Sequence, residues 1–233
     1  MRQFTTLLFD ADDTLLDFHK DERQALIKTL EHYSAPVTEE NIKTYSGINL
    51  GMWRQLEKGE ITRSELKATR FKKFFDAIGF HCNEQPLAVN GYYLSILAEG
   101  GNTLEGATST VKQLKEMGYE LYIITNGIAA TQAKRLQKSG LLPYINEVFV
   151  SEAIGRQKPC REYFDAVLEK INEKDKEKIL VIGDSLTSDI KGAMNAGLPC
   201  CWINRYGKEL PGEYEVDFEL SDVREVIGVV RRK

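Results

Sequence analysis

Residues 7–15 read LLFDADDTL, a short apolar run that ends abruptly in acidic residues. The apolar part is typical of a buried β-strand, which would carry Asp10 and Asp12 at its C-terminal tip. In open α/β sheets, ligands bind beyond the C-terminal ends of the strands. Two acids one residue apart at such a tip can hold a divalent cation, or divide nucleophilic attack and proton transfer between them. A lone pair of this kind is also typical of a solvated turn, so the interpretation needs support from elsewhere in the chain.

Short apolar strands alternate with helical stretches from about residue 101 onward. The composition and periodicity predict strands at 121–124, 148–150, 179–182 and 200–203, and helices at 130–139, 163–171, 188–196 and 223–230. Continuous apolar strands that alternate with helices indicate a parallel sheet covered on both faces. The sequence therefore predicts an α/β fold with a doubly wound parallel sheet.

The segment 18–97 has a different pattern, with amphipathic helices and no convincing strand. Two examples are 23–33 and 64–75, and the second follows a capping box at 62–65. We predict a helical cap domain at 18–97, inserted into a catalytic domain made of 1–17 and 98–233. An insertion directly after the acidic strand is expected to emerge at the active-site edge and act as a lid. A helical domain packed elsewhere is the alternative.

Composition excludes several classes of protein. The chain has 233 residues, of which 42% are hydrophobic and 28% charged, as in ordinary soluble globular proteins. The formal net charge of −4 and the lack of a basic stripe argue against a nucleic-acid polymer as partner. No apolar stretch approaches the ~20 residues of a membrane span, and no signal peptide is evident. The four cysteines lack C-x-x-C spacing and are expected to be reduced thiols. We expect a cytoplasmic monomer or homodimer that does not bind membranes.

Three further stretches follow predicted strands. Residues 125–127 read Thr-Asn-Gly, whose hydroxyl, amide and backbone are suited to hydrogen-bonding phosphate oxygens, although this is also a common turn. Lys158 precedes a proline at a helix start and could place a positive charge beside a phosphate. Asp184 follows the strand 179–182 and could join Asp10 around Mg²⁺. Asp189 could accept hydrogen bonds from metal-bound water or from Lys158, or simply favour a helix N-terminus.

The four stretches make chemical sense together, because a parallel sheet brings the C-terminal ends of its strands to one edge. Crowded carboxylates need a cation, and a phosphoryl group needs Lys158 and the Thr125 hydroxyl to balance its oxygens. Carboxylates and carbonyls are ligands that Mg²⁺ prefers, and no histidine or cysteine lies in these stretches. The three histidines fall in the helical insertion and receive no catalytic role.

The stretches 10–14, 125–127, 158–159 and 183–189 resemble the four motifs of the haloacid dehalogenase-like (HAD) hydrolases. The insertion resembles the helical C1 cap of that superfamily, whose catalytic core is Rossmann-like. The resemblance covers nearly the whole chain. It implies an Mg²⁺-dependent phosphatase that acts on a small-molecule phosphate monoester.

The family roles fall on matching positions of this chain. The resemblance implies that Asp10 is the nucleophile that forms an aspartyl-phosphate, and that Asp12 is the acid–base. It assigns phosphate binding to Thr125 and Lys158 with the Asn126 and Gly127 backbone. The metal ligands would be Asp10, Asp184 and the Asp12 carbonyl, with Asp189 outside the ligand set. True dehalogenases of the superfamily lack an aspartate two residues after the nucleophile, so Asp12 indicates a phosphatase.

The substrate is predicted from weaker features. Residues 9–15, 50–53, 125–127 and 201–204 are similar to the bacterial pyrimidine 5′-nucleotidase branch, which implies nucleoside 5′-monophosphates as substrates. Trp53 could stack on a base, although a cap tryptophan also commonly packs in a core. Arg63, Arg70 and Arg156 could meet a distal group of the substrate, while solvated helix faces explain the first two equally well.

Three alternatives remain open from the sequence. A sugar-phosphate or phosphoglycolate phosphatase would use the same chemistry, as would a phosphoglucomutase-like phosphotransferase. A phospho-acceptor signalling module also phosphorylates an aspartate beside Mg²⁺, a hydroxyl and a lysine. Asp12 and the helical insertion argue against the signalling module, because a built-in acid–base hydrolyses an aspartyl-phosphate quickly.

Overall fold

The computed structural model describes residues 4–231. The chain divides into two compact units, at Phe18/His19 and at Gly100/Gly101. We call the segment His19–Gly100 the helical unit, and the remainder, on either side of it in sequence, the sheet unit.

The sheet unit contains six strands that pair only in parallel within the described residues. They are β1 (Thr6–Asp10), β2 (Glu120–Thr125), β3 (Glu147–Val150), β4 (Ile179–Gly183), β5 (Cys200–Ile203) and β6 (Phe218–Leu220). Their order across the sheet is β3-β2-β1-β4-β5-β6. This order confirms the predicted doubly wound α/β fold, with the chain crossing to one side of β1 for β2 and β3 and to the other side for β4 to β6.

The helical unit consists of long helices. They are α1 (Phe18–His32), which begins at the unit boundary, α2 (Glu39–Glu57), α3 (Arg63–Ala77) and α4 (Pro86–Leu97). The predicted capping box is confirmed: the Thr62 side chain accepts from the Glu65 backbone N–H, and the Glu65 carboxylate accepts from the Thr62 N–H. Within residues 4–231, no helix combines the length and the apolar character needed to cross a bilayer.

The helices of the sheet unit are shorter. They are α5 (Ala107–Glu116), α6 (Ala129–Ser139), α7 (Ser151–Ile154), α8 (Arg161–Lys170), α9 (Lys191–Ala196) and α10 (Val226–Val230). The helix predicted at 188–196 instead opens with a π-helical turn, Leu186–Ile190, because the N–H groups of Asp189 and Ile190 both donate to the Ser185 carbonyl. The helix predicted at 223–230 likewise opens with a 3₁₀ turn.

The sheet is buried on both faces, as its continuous apolar strands predict. Leu7 and Phe9 of β1 point to one face and pack with residues of α5, α6 and α10. Leu8 points to the other face and packs with residues of α8 and α9. Every residue of β1 is buried, which explains the apolar composition of the strand. The buried strand also holds its last residue, Asp10, in a fixed position.

Candidate active site

The register of the sheet brings three of the predicted stretches to one edge. Asp10, the last residue of β1, pairs with Ile124, which directly precedes Thr125 at the end of β2. On the other side of β1, Phe9 pairs with Ile182, one residue before Gly183 at the end of β4. Asp10 therefore lies between the two neighbouring strand ends, at the point where the strand order reverses. Ligands bind at such a switch point in open α/β sheets.

Asp10 is only 7% exposed to solvent. Burial raises the pKa of this carboxyl well above its ordinary value, and the nearby acids Asp189 and Asp12 add to the effect. The ammonium of Lys158 acts in the opposite direction, because its attraction favours the ionised carboxylate. A buried carboxylate in such surroundings needs positive charge nearby in order to be ionised.

Lys158 supplies part of that charge. Its Nζ donates to Asp10 Oδ1 at 2.5 Å, to Asp189 Oδ1 at 2.6 Å and to the Ile124 carbonyl at 3.0 Å. These three bonds use all the donors of an ammonium group. Burial alone would lower the pKa of Lys158, but the two carboxylates outweigh it and raise the pKa, so the side chain is cationic. Lys158 thus joins the nucleophile candidate on β1 to the stretch after β4.

The side chain of Asn126 holds the loop that carries Lys158. Its amide nitrogen donates to the Lys158 carbonyl at 2.9 Å, and its amide oxygen accepts from the Lys158 N–H at 2.9 Å. These two hydrogen bonds fix the backbone of the Lys158 loop relative to the end of β2. The amide group of Asn126 is therefore engaged with protein, and the predicted phosphate contact of its backbone stays a prediction.

The stretch after β4 packs tightly around Asp189. This side chain is fully buried, and its Oδ2 accepts from the Ser185 N–H at 3.1 Å while Oδ1 accepts from Lys158. A Cβ on Gly183 would lie 2.3 Å from Asp189 Cγ, so only glycine leaves room for the carboxylate. The indole of Trp202 donates to the Asp184 carbonyl at 2.9 Å and fixes the next residue of the loop.

The acids at this edge fit a hard divalent cation such as Mg²⁺. One carboxylate oxygen each from Asp10, Asp184 and Asp189 lie within 4.8 Å of one another, and such oxygen ligands are those that Mg²⁺ prefers. Burial, with repulsion from Asp10 and Asp189, raises the pKa of Asp184 well above its ordinary value, as expected where a cation would balance the charge. Both oxygens of Asp189 already accept hydrogen bonds, so Asp10 and Asp184 are the better candidates for direct ligands.

Two residues of α6 contact Asp12, and neither contact was predicted from the sequence. The Gln132 amide nitrogen donates to Asp12 Oδ2 at 2.8 Å and to Thr125 Oγ1 at 2.9 Å. Arg135 Nη1 donates to Asp12 Oδ1. The Thr125 hydroxyl also accepts from the Gly127 N–H at 3.1 Å. The predicted acid–base and the predicted phosphate-binding hydroxyl therefore share a partner, Gln132.

A model of the haloacid dehalogenase-like hydrolase family matches residues 4–197. The chain belongs to this family. The predicted resemblance to the HAD hydrolases is thereby confirmed, and the matched range includes all four of the stretches on which it was based.

Relatives of this HAD hydrolase align over nearly its whole length. It is 40% identical over 230 residues to the HAD-hydrolase YfnB of Bacillus subtilis, covering 99% of this chain and 97% of the relative. A crystal structure of YfnB bound to magnesium matches it with a TM-score of 0.93 at 39% identity, covering 99% of this chain and 100% of that one. The pyrimidine 5′-nucleotidase PynA of Streptococcus pneumoniae is 38% identical over 221 residues, with 95% of this chain and 92% of the relative covered. The pyrimidine 5′-nucleotidase YjjG of Escherichia coli is 32% identical over 220 residues, with 94% and 95% covered.

Residues of the helical unit have more varied surroundings in this HAD hydrolase. Trp53 is half-buried and packs against a small cluster of Met52, Leu56 and Leu66. Packing in the unit's own core is thus part of its role, and contact with a base stays a prediction. Arg63 is half-buried at the start of α3, and Arg156 is exposed in the loop before Lys158.

Arg70 does not lie on a solvated helix face. The side chain is 2% exposed and donates to Asn49 Oδ1 at 2.8 Å and to Asn90 Oδ1 at 2.5 Å. Its guanidinium also lies 4.8 Å from the centre of the Tyr93 ring. These partners come from α2 and α4, so Arg70 ties three helices together and is a core residue of the helical unit.

Proposed function

We propose that this HAD hydrolase is an Mg²⁺-dependent phosphomonoesterase. Its substrates would be nucleoside 5′-monophosphates, with a preference for pyrimidines, and the reaction would pass through an aspartyl-phosphate on Asp10. The observation that carries the proposal is the buried ion pair of Asp10 with Lys158 beside Asp184, at the switch point of the sheet. That arrangement offers a fixed nucleophile, a fixed positive charge beside it, and oxygen ligands for a metal.

The first chemical step would be attack on phosphorus by a carboxylate oxygen of Asp10. As the bond from Asp10 to phosphorus forms, the bond from phosphorus to the alcohol oxygen breaks, and protonated Asp12 gives its proton to that oxygen. In the second step, the Asp12 carboxylate takes a proton from water while the water oxygen bonds to phosphorus. The bond from phosphorus to Asp10 then breaks, which releases phosphate and restores both aspartates.

The Thr125 hydroxyl suits the role of a phosphate donor. A hydroxyl has one proton to donate and two lone pairs. The Gly127 N–H and the Gln132 amide both donate to this oxygen, at 3.1 and 2.9 Å, and so occupy its accepting positions. Its own proton is then directed to another acceptor, and a phosphoryl oxygen bound next to Asp10 would be one.

A bound Mg²⁺ would be held by Asp10 and Asp184 with the backbone carbonyl of Asp12, and would supply positive charge next to the phosphoryl oxygens. The charge balance of the site supports this. Asp10, Asp184 and Asp189 form a close group of acids, and Lys158 is the cation that pairs with two of them. An arriving phosphate adds further negative charge, which a divalent cation would offset.

The helical unit would act as the cap that excludes water from the site and contacts the nucleoside. Support for a pyrimidine nucleotide comes from the relatives PynA and YjjG, which align over almost the whole chain, helical unit included. Trp53 is our candidate for contact with the base, since it is half-buried and aromatic.

The test is phosphate release from a panel of nucleoside monophosphates and sugar phosphates, with Mg²⁺ and with EDTA. We expect turnover that requires Mg²⁺ and that is fastest with UMP or dTMP. Activity confined to sugar phosphates would preserve the chemistry and overturn the nucleotide assignment. Full activity in EDTA would overturn the role of the metal.

A further inference from the structure

Helix α6 presents two buried polar side chains, Gln132 and Arg135, to the loop after β1. Both are 1% exposed, and they lie three residues apart, so they share one face of the helix. We call them the α6 pair. Their partner Asp12 is 120 positions away from Gln132 in the sequence, and its side chain is 28% exposed. The α6 pair therefore holds the Asp12 carboxylate from the protein side and leaves part of it accessible to a substrate.

Every polar atom of the Gln132 amide has a partner. Its nitrogen donates to Asp12 Oδ2 and Thr125 Oγ1, and its oxygen accepts from Arg135 Nη1 at 2.9 Å. The last bond fixes which way round the amide lies, because a guanidinium can only donate. With the oxygen facing Arg135, both N–H groups of Gln132 must face Asp12 and Thr125.

Arg135 is itself held in place. Its Nη1 donates to Asp12 Oδ1 as well as to the Gln132 oxygen, and its guanidinium carbon lies 5.4 Å from the centre of the Phe18 ring. A guanidinium is planar and delocalised, so contacts of this kind restrict its orientation more than they would restrict an ammonium.

Room for this arrangement depends on Gly127. A Cβ at that position would lie 2.4 Å from Gln132 Cγ and 2.7 Å from the amide nitrogen. The glycine of the Thr-Asn-Gly stretch therefore does more than make a turn: it lets the Gln132 side chain reach past the end of β2 to Asp12.

We propose that the α6 pair consists of positioning residues, which hold the Asp12 carboxylate in one fixed geometry. The inference rests on the proposed function, since it assigns proton transfer to Asp12. The pair contacts the Asp12 carboxylate and does not contact the substrate in this account. They act through Asp12, and a misplaced acid–base loses efficiency because proton transfer requires hydrogen-bond geometry.

The test compares Gln132→Met and Arg135→Met on two substrates, UMP and p-nitrophenyl phosphate. The nucleoside alkoxide leaves poorly without a proton, whereas p-nitrophenolate leaves readily, so kcat/KM for UMP is the more sensitive to the position of Asp12. We expect kcat/KM for UMP to fall by roughly 10- to 100-fold and that for the aryl ester by a much smaller factor. Gln137→Met and Lys134→Met, at exposed positions of the same helix, are the matched controls.

An Asp12→Asn background separates positioning from general support of the fold. If a residue acts only through Asp12, replacing it should lower kcat/KM little further once the Asp12 carboxyl has been removed. The factors by which the two single substitutions lower kcat/KM should therefore not multiply in the double variant. Equal losses on both substrates, or losses that multiply in the Asp12→Asn background, would overturn the inference. If Arg135→Met does not fold, Gln132→Met still decides, because it keeps the Arg135 guanidinium and removes only the hydrogen bonds of Gln132.

A crystal structure of Gln132→Met provides a readout that is independent of activity. We expect the Asp12 carboxylate to adopt a different side-chain orientation in this variant. An unchanged Asp12 would overturn the inference, whatever the substrate of the enzyme. Failure of the wild-type protein to hydrolyse any ester of the panel would instead count against the proposed function.

Discussion

Replacing Asp184 by asparagine is expected to stabilise the metal-free protein. The variant keeps the shape of the side chain and removes its charge. In the wild type, an oxygen of Asp184 lies within 4.8 Å of oxygens of both Asp10 and Asp189. At an effective dielectric constant of about 20, each such pair of like charges repels by about 3.5 kcal/mol, and Lys158 offsets part of that. We expect the free energy of unfolding to rise by about 1–3 kcal/mol, since relaxation and entry of water weaken the remainder.

Magnesium should offset most or all of this difference in stability between the variant and the wild type. A cation that binds only the folded state stabilises it by about 2.7 kcal/mol at 100 times its dissociation constant. The wild type should gain this stabilisation, while the variant, which lacks one proposed ligand, should gain much less. Thermal unfolding with EDTA and with saturating MgCl₂ measures both effects, at about 2–4 °C in Tm for each kcal/mol in a chain of this size.

The pH dependence of the same effect has a definite sign. Burial and repulsion raise the pKa of Asp184, so the folded protein binds a proton there more tightly than the unfolded chain does. Below the ordinary aspartate pKa of about 4, Asp184 is protonated in both states and does not destabilise the folded protein. As the pH rises from there through the raised pKa of the folded state, the folded protein loses stability relative to the unfolded chain. The advantage of Asp184→Asn in EDTA should shrink as the pH is lowered.

Glu116→Gln is the matched control for loss of a carboxylate. Glu116 is exposed and lies 3.9 Å from Lys112, so its replacement should change stability by less than about 0.5 kcal/mol, with or without metal. The reasoning is refuted if Asp184→Asn is less stable than the wild type in EDTA, or if magnesium stabilises the two proteins equally.

Three further predictions concern the site and the helical unit. Asp10→Asn should abolish turnover because an amide is a poor nucleophile, and Asp12→Ala should lower kcat by about 10²–10⁴-fold; wild-type rates of phosphate release in either variant would contradict the mechanism. Gly183→Ala should destabilise the protein by about 1–3 kcal/mol in urea unfolding, because the new methyl group would lie 2.3 Å from Asp189 Cγ. Gly212→Ala, with nothing within 4 Å, should be nearly neutral, and an equal effect of both substitutions would refute the packing argument. Trp53→Ala should raise KM for nucleotides more than KM for p-nitrophenyl phosphate, and equal changes would mean that Trp53 only packs the helical unit.

The fold and the family could be predicted because their signals are local. Each buried strand is a short apolar run, and the acids or hydroxyls that follow it must lie at the C-terminal edge once the sheet is parallel. The strand β6 was missed because it has only three residues, Phe218–Leu220, and none of them is fully buried. A short edge strand carries too little apolar pattern to stand out from a loop.

The partners of buried polar residues could not be predicted from the sequence. Gln132 and Arg135 lie on a helix whose polar residues look solvated, and their partner Asp12 is more than a hundred positions away. The sequence offers one indication that they are buried, because both lie on the side of α6 that also buries Leu136. Arg70 is a similar case, since the asparagines that allow its burial come from two other helices.

The most direct test of the central claim is chemical trapping of the intermediate on Asp10. The enzyme, or the Asp12→Asn variant if turnover is too fast, would be quenched during reaction with UMP and Mg²⁺ and treated with borohydride. This reagent reduces an aspartyl-phosphate to homoserine, which peptide mass spectrometry can locate. We expect homoserine at position 10, formed only when substrate is present. Phosphate release without any modified residue, or with the modification at another carboxylate, would contradict it.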